Sequence, residues 1–228
     1  MEAEREAIRK AVYTDEKFLG GGVNSAILLK NGKKVVFKAS RAEYQSALRR
    51  GIDPGTQYLR EVAASVIDQE LGLGLVPPTT LITRANHGVG SAQLFRDGFK
   101  TAASFKNPWL LARQLPDRVK HDWQLFEDLV GHLDRHGGNF MFRVTGNQVE
   151  LALIDNGLSL SKVAQPKAYS GPMENQPIDA TNLARLRDLI ARETEITQRL
   201  KPYLEPSALQ NFFDRARTLL QRGTYGDS

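Results

Sequence analysis

The chain has 228 residues, of which 41% are hydrophobic and 25% charged, and a formal net charge of +5. This length and composition allow a sizeable core in one domain or two small lobes and exclude a disordered chain. Mixed charges in the first ten residues predict a surface helix and not a signal peptide, and no apolar run reaches the roughly 20 residues that span a bilayer. Because the chain contains no cysteine, we expect a cytoplasmic protein, with delivery into another cell left open.

Lysine and arginine residues are scattered along the chain and do not form one basic stripe. The densest pairs are Lys33-Lys34 and Arg49-Arg50, and such pairs are usually part of a solvated surface. We therefore expect no nucleic-acid partner.

The first half of the sequence alternates short apolar runs with turn signals. These runs predict five strands, at residues 18–19, 26–29, 35–37, 79–83 and 91–95. Asn31-Gly32 is typical of a tight hairpin between the second and third strands. Apolar residues at helical spacing predict one helix from Thr56 to Leu71, which Gly72 and Gly74 end.

The second half of the sequence is predicted to be mainly helical. Asp117 is expected to cap a helix whose apolar face continues to Leu133 and leads directly to Asp134. Two short strands follow, then a long loop and two amphipathic helices, at residues 140–144, 149–154, 158–179, 181–200 and 206–221. The order predicts an α+β protein with two lobes, an antiparallel sheet plus one helix in residues 1–95 and a mainly helical lobe in residues 96–228.

A glycine-rich turn lies between the first two predicted strands. Glycine lets the backbone approach a phosphate without an intervening side chain, and its N–H groups can face the anion. The candidate phosphate-binding residues are Gly20, Gly21, Gly22, Val23, Asn24 and Ser25. An ordinary hairpin turn is the alternative, and a P-loop is excluded because no Gly-Lys-Ser/Thr follows.

A lysine and a glutamate follow this turn in an informative order. Lys38 ends the apolar strand at residues 35–37, and Glu61 lies on the next predicted helix. A lysine that leaves a buried strand beside a phosphate-binding turn can contact nucleotide phosphates, while a carboxylate on a helix holds its ammonium group. Taken alone, both residues would more often be surface charges.

The segment Leu133-Asp-Arg-His-Gly-Gly-Asn139 is the most informative part of the sequence. Asp134 and Asn139 are five residues apart, as in a kinase catalytic loop, where the aspartate accepts the proton of the acceptor hydroxyl and the asparagine binds magnesium. Asp155 follows a predicted hairpin 21 residues after Asp134 and stands before Asn156-Gly157, where a kinase carries its second metal ligand.

Two other interpretations of this segment were weighed. His132 and His136 are four residues apart, like the histidines of a zinc hydrolase helix, but Leu133 stands where that motif needs glutamate, and Gly137-Gly138 would break the helix. The segment could also be a salt-bridged turn without chemistry. The four motifs occur in the order that a kinase requires, which favours the kinase interpretation.

The motifs together resemble the phosphatidylinositol 3/4-kinase superfamily, and most closely the type II phosphatidylinositol 4-kinases and their small bacterial relatives. The resemblance extends from about Gly20 to Ser159. It is carried by the segments 20–25, 37–38, 60–64, 75–77, 89–95, Asp134-Arg-His136 with Asn139, and Ile154-Asp-Asn-Gly-Leu158. The last two motifs are specific in combination, whereas the glycine run is not.

The resemblance implies a two-lobed protein-kinase-like fold that binds ATP with Mg²⁺, or with Mn²⁺ in its place. It implies that Lys38 binds the phosphates and is held by Glu61, and that backbone groups around Gln93 and Phe95 bind adenine. It further implies that Asp134 is catalytic and that Asn139 and Asp155 bind the metal. His136 matches a histidine that lipid kinases place near the transferred phosphate, which makes it a secondary catalytic candidate.

Two departures from the family bear on the acceptor. The chain has no cysteine and so lacks the palmitoylation segment of the type II lipid kinases. The loop from Leu158 to Asp179 offers only Lys162 and Lys167 as cations, whereas a phosphorylated inositol favours a denser basic cluster. We therefore expect phosphate transfer to a protein hydroxyl, ahead of a phosphoinositide or a small alcohol.

The sequence leaves three other functions open. The fold could transfer an adenylyl or glutamyl group, it could bind nucleotide as a pseudokinase scaffold, or it could phosphorylate a phosphoinositide. The intact set of polar site residues argues against the scaffold. The oligomeric state is not indicated.

Overall fold

The computed structural model describes residues 2–19, 26–43, 50–163 and 171–226. The glycine-rich turn, residues 20–25, and Lys167 lie outside these ranges. None of the helices in the described part of the chain is long and apolar enough to cross a bilayer.

The first half of the chain forms a five-stranded antiparallel sheet with the strand order β1-β2-β3-β5-β4. Its strands are β1 (Asp15–Leu19), β2 (Ala26–Asn31), β3 (Lys33–Ala39), β4 (Thr79–Arg84) and β5 (Gly88–Leu94). All five predicted strands are present. Gly32, with a φ of 64°, takes the left-handed conformation of the tight turn that Asn31-Gly32 predicted.

The two faces of this sheet pack against different helices. Helix α1 (Glu2–Lys10) covers the outer face, where Ile8 joins a small apolar cluster with Ile27, Leu29, Val35 and Phe37. This helix is exposed on one side, as predicted, and buried on the other. The opposite face carries Lys38 and faces helix α2.

Helix α2 (Gln57–Leu71) confirms the predicted helix almost to the residue, and Gly72 ends it with a φ of 64°. Its apolar residues belong to the main core of the second half of the chain, not to the cluster of the sheet. The helix is therefore placed by contacts with both halves.

The second half contains a small sheet and five helices among the described residues. The strands are β6 (Lys100–Thr101), β7 (Phe140–Thr145) and β8 (Gln148–Leu153), in that order. The helices are α3 (Pro108–Gln114), α4 (Asp117–Val130), α5 (Ala180–Ala191), α6 (Glu193–Leu200) and α7 (Pro206–Arg222). Trp123, Phe126, Phe140 and Phe212 are fully buried in its core.

Helix α4 differs from the prediction at both ends. Asp117 does not cap it, because Pro116 holds the N-cap position and the Asp117 carboxylate accepts a hydrogen bond from Lys120. The helix ends at Val130 and does not reach Leu133, because Gly131 takes a left-handed φ of 56° and its N–H donates to the Glu127 carbonyl. The segment that follows is therefore free to form a loop.

Two further differences concern helices. The predicted helix over residues 181–200 is two helices separated at Arg192, whose guanidinium donates to the carboxylate of Glu70 on α2 at 2.7 Å. Helix α3 lies in a segment for which no element was predicted. Pro108 occupies the first turn of this helix, where no N–H is needed, and the Asn107 side chain caps the turn.

Candidate active site

Lys38 lies at the centre of the site. Its ammonium group donates hydrogen bonds to Glu61 Oε1 of α2 and, at 2.8 Å, to Asp155 Oδ1. The Lys38–Glu61 pair was predicted from the order of strand and helix, and the structure forms it. The contact with Asp155 joins the sheet of the first half to the loop after β8.

Burial and mutual charge shift the pKa values of Lys38, Glu61 and Asp155. Burial would lower the pKa of Lys38, but Asp155 and Glu61 outweigh burial and raise it. The ammonium charge of Lys38 holds the pKa of Asp155 below its ordinary value. Burial raises the pKa of Glu61, although Lys38 acts in the opposite direction. Lys38 is therefore a permanent cation between two carboxylates.

Asp155 is arranged for contact with a ligand. Its side chain is 48% exposed, although one oxygen meets Lys38. Its backbone takes a left-handed conformation with a φ of 55°, which aspartate and asparagine tolerate better than most residues. Behind it, the N–H of Asn156 donates to Glu61 Oε2 at 3.0 Å, so the loop is fixed to α2 while the carboxylate stays open.

His132 joins the loop of residues 132–139 to the loop that carries Asp155. Its Nε2 lies 2.8 Å from the Asp155 carbonyl, and its Nδ1 accepts from the Asp134 N–H at 3.0 Å. Because a carbonyl only accepts, Nε2 carries the proton and the ring is neutral. Burial, with the charge of Arg135, lowers the pKa of His132 well below its ordinary value. Both nitrogens are engaged, which excludes the zinc-ligand interpretation of this histidine.

Asp134 and His136 form the open side of the loop. Their side chains are 51% and 58% exposed, and His136 Nε2 lies 3.8 Å from Asp134 Oδ2. His136 Nδ1 accepts from the Gly138 N–H at 3.0 Å. The Asp134 carboxylate is exposed, and His132 connects the backbone of Asp134 to that of Asp155, so an incoming hydroxyl group can reach this carboxylate.

Asn139 is buried beside Asp134. Its Nδ2 donates to the Asp134 carbonyl at 2.7 Å, which leaves its side-chain oxygen without a partner among the described residues. That oxygen and the carboxylate of Asp155 are the hard donors that Mg²⁺ prefers. The described residues contain no group of three or more acidic or histidine side chains that could hold a metal. A metal on Asn139 and Asp155 would therefore take its other ligands from phosphate and water.

Arg135 holds the site together from beneath, a role that the sequence did not reveal. Its guanidinium is fully buried and pairs with Glu127 of α4 at 2.8 Å. It also donates to the carbonyl groups of Asn139 and Ile154 and to the side chain of Asn156, at 2.7, 2.9 and 2.7 Å. One side chain thus connects α4, the loop of residues 132–139 and the loop of Asp155. The segment is not a salt-bridged surface turn.

The predicted adenine-binding region lies at the end of β5. The Phe95 N–H donates to the Lys34 carbonyl and the Leu94 N–H to the Pro78 carbonyl, both at 2.9 Å. These two amides are therefore committed within the sheet. The Gln93 side chain donates to Thr79 Oγ1 at 3.0 Å.

The loop after Asp155 is tied to the segment before α2. The Lys162 N–H donates to the Gly51 carbonyl at 2.9 Å, and the Lys162 ammonium group meets Asp53 Oδ1 at 2.5 Å. One of the two cations of this loop is therefore already paired.

Comparison with protein-family models and with curated proteins found no match. Solved structures do match. The chain is similar to a proinflammatory kinase, CtkA, of Helicobacter pylori, with 16% identity, a TM-score of 0.59, and coverage of 95% of this chain and 94% of that chain. It is similar to hydra Fam20 with sugar, with 16% identity, a TM-score of 0.61, and coverage of 95% and 87%.

The Golgi casein kinase with Mn and ADP bound is similar too, with 14% identity, a TM-score of 0.64, and coverage of 96% of this chain and 74% of that chain. At these identities the likeness shows the fold. The chain has the α+β, two-lobed protein-kinase-like fold, which confirms the predicted fold class.

Proposed function

We propose that this protein is an ATP- and magnesium-dependent kinase that transfers the γ-phosphoryl group to a hydroxyl group, and that its acceptor is a protein. The observation that carries the proposal is the bridge that Lys38 forms between Glu61 and Asp155, with His132 connecting Asp155 to Asp134. This is the arrangement of groups that phosphoryl transfer requires.

Each residue then has a distinct role. The acceptor hydroxyl gives its proton to the Asp134 carboxylate while its oxygen bonds to the γ-phosphorus. The bond from that phosphorus to the bridging oxygen breaks, and the electron pair leaves with ADP. Lys38 donates hydrogen bonds to the phosphates. Magnesium, held by Asn139 and Asp155, would supply charge neutralisation on the β- and γ-phosphates when bound.

The glycine-rich turn, residues 20–25, is proposed to add backbone N–H donors to the phosphates. His136 is proposed to contact the transferred phosphoryl group, because its ring is exposed beside Asp134. Both assignments rest on the position of these residues in the chain relative to Lys38 and Asp134.

The small number of free cations in the loop that would face the acceptor, residues 158–179, supports a protein substrate. Lys162 is neutralised by Asp53, and the sequence of the loop from Leu158 to Asp179 contains no other cation than Lys167. A phosphorylated inositol would meet few basic partners there. The Golgi casein kinase, a structure with the same fold, carries a protein substrate in its name.

The relation to the phosphatidylinositol 3/4-kinase superfamily is also proposed and not shown by the fold. It rests on two motifs, Asp134-Arg-His136 and Ile154-Asp-Asn-Gly157. This relation predicts a lipid acceptor, whereas the small number of cations in residues 158–179 favours a protein acceptor.

The test is incubation of the purified chain with γ-labelled ATP and Mg²⁺, against a cell lysate and mixed phosphoinositide vesicles in parallel. We expect label in protein, none in lipid, and none from α-labelled ATP. Asp155→Asn should abolish transfer, because the amide removes the metal-binding charge while tolerating the same backbone conformation. Glu150→Gln, an exposed carboxylate of β8, is the matched control and should keep activity.

Several results would contradict the proposal. Label from α-labelled ATP would indicate adenylyl transfer, and label in lipid would replace the acceptor. Absence of any transfer, or full activity of Asp155→Asn, would reject the kinase mechanism itself.

A further inference from the structure

The side chain of Gln93 lies on the same face of the sheet as Lys38. Gln93 is paired across the strands with Val36, and Ser91 with Lys38, and directly paired residues of antiparallel strands point to the same face. Val36 and Lys38 are two residues apart on β3, which corresponds to about 7 Å. A nucleotide whose phosphates meet Lys38 can therefore place its base beside Val36 and Gln93.

The chain beyond Gln93 limits what else can contact that base. After Leu94 the chain crosses to the second half of the molecule, where β6 begins at Lys100. The N–H groups of Leu94 and Phe95 already donate to Pro78 and Lys34. The Gln93 side chain is the polar side chain of this strand that lies level with Val36, whereas Ser91 lies level with Lys38.

The orientation of the Gln93 amide is fixed by a buried threonine. Thr79 Oγ1 lies 2.8 Å from the Pro77 carbonyl and 3.0 Å from Gln93 Nε2, and Thr79 is fully buried. A carbonyl only accepts, so the single hydroxyl proton goes to Pro77. The hydroxyl oxygen must then accept from Gln93, which presents its NH₂ group to Thr79.

This constraint turns the Gln93 oxygen away from Thr79, and among the described residues no group donates to it. The site therefore presents an acceptor and not a donor to the base. The 6-amino group of adenine is a donor, whereas guanine carries an acceptor oxygen at the same position. Two acceptors facing each other would leave both without a hydrogen bond.

We propose that Gln93, oriented by Thr79, selects adenine over 6-oxopurine nucleotides. The inference rests on the proposed function, since it requires a purine nucleotide in the cleft. It adds a side-chain determinant of base specificity to a region for which only backbone contacts were expected.

The test is binding and not turnover. Isothermal titration calorimetry would compare non-hydrolysable adenine, guanine and hypoxanthine nucleotide analogues with Mg²⁺ on the full chain. Wild type should bind the adenine analogue about tenfold or more tightly than the other two. The hypoxanthine analogue isolates position 6, because it lacks the 2-amino group of guanine.

Four proteins make the comparison sharp. Thr79→Ser keeps the hydroxyl group and should keep the preference. Thr79→Val keeps the shape but frees the amide to rotate, so the preference should fall towards one. Gln93→Met removes the acceptor and should have the same effect. Circular dichroism would check that each variant folds, and Gln93→Met carries the test alone if Thr79→Val does not fold.

The experiment distinguishes failure of this inference from failure of the proposed function. Binding of the adenine analogue without preference in wild type, or an unchanged preference in Gln93→Met, would overturn this inference and leave the kinase proposal standing. Failure of every purine nucleotide to bind wild type would overturn both.

Discussion

The loop of residues 132–139, which we propose to be the catalytic loop, has a buried side and an open side. His132, Arg135 and Asn139 point into the protein and hydrogen-bond to backbone carbonyl or N–H groups of the two loops. Asp134 and His136 point outwards and are about half exposed.

The contrast suggests a division of roles within one short segment: some residues hold the loop backbone in place, and their neighbours are proposed to take part in the reaction. Residues on the buried side fix where the backbone runs, and their loss should be measurable as stability. Residues on the open side are proposed to contact the reactants, so replacing them should lower the rate of phosphate transfer. Each of the following predictions tests this division.

The largest effect is expected for Arg135→Met on the buried side. The change leaves Glu127 as a buried carboxylate without its cation, and we expect the free energy of unfolding to fall by about 3–5 kcal/mol. Activity should be lost as well, since both loops depend on the same guanidinium. Chemical denaturation followed by circular dichroism measures the difference.

The matched control is Arg143→Met. Arg143 pairs with Glu150 across the β7–β8 hairpin, and both side chains are over 40% exposed. An exposed pair contributes about 0–1 kcal/mol. Equal losses for the two arginines would mean that the buried pair does not organise the site.

On the open side, Asp134→Asn should reduce the rate of phosphate transfer by about 100- to 10,000-fold, the range for a general base. The free energy of unfolding should stay within about 0.5 kcal/mol, because the side chain is exposed. Steady-state kinetics and denaturation of the same preparation provide both values. A variant that is unstable, or as active as wild type, would contradict the assignment of Asp134 to the open side.

A smaller effect on stability is expected for a second buried arginine, Arg60, whose ion pair holds helix α2 in place. Arg60 precedes Glu61, is fully buried, and donates to both carboxylate oxygens of Glu205 at 2.8 and 3.0 Å. Glu205→Gln should lower the free energy of unfolding by about 1–3 kcal/mol, because the guanidinium keeps a weaker, neutral partner.

Glu193→Gln is the control for this pair, since Glu193 and its partner Arg217 are both partly exposed, at 35% and 41%, and should contribute less than about 1 kcal/mol. Thermal and chemical denaturation of the two variants side by side would show the difference. If Glu205→Gln is no less stable than Glu193→Gln, the contact between Arg60 and Glu205, at the N-cap of α7, does not hold α2.

The smallest effect concerns pH. Burial lowers the pKa of His132, so the folded protein keeps this ring neutral while the unfolded chain protonates it near pH 6.5. The contribution to stability is therefore complete above about pH 6.5 and is lost as the pH falls towards the lower folded-state pKa. Nitrogen-15 NMR should show a neutral ring with the proton on Nε2 at pH 6. A protonated ring at that pH would contradict the bridge between the two loops.

Most of the fold was predicted from the sequence, and the candidate site residues were chosen from local patterns. The spacing of Asp134, Asn139 and Asp155 indicated a kinase loop, and the order of Lys38 and Glu61 on a strand and a helix indicated an ion pair, which the structure forms. These signals are visible in the sequence because they depend on residues that are close together or on the order of neighbouring elements. The five strands of the first half and the end of α2 at Gly72 were predictable for the same reason.

The buried side could not be predicted in the same way. Arg135 and Glu127 are eight residues apart across a helix end, and Arg60 contacts Glu205, which is 145 residues further along the chain. A charged residue is normally exposed, so its burial is visible only once the partner is placed. His132 was considered only as a zinc ligand, although its position two residues before Asp134 repeats the first histidine of a kinase catalytic loop.

The central claim is that Lys38, Asp134, Asn139 and Asp155 form one site for a nucleotide with its metal. The most direct test is calorimetric titration of ATP into wild type and Asp155→Asn, each with and without Mg²⁺. We predict that Mg²⁺ strengthens ATP binding to wild type and has little effect on Asp155→Asn. The same strengthening in both proteins, or no ATP binding by wild type, would contradict the claim.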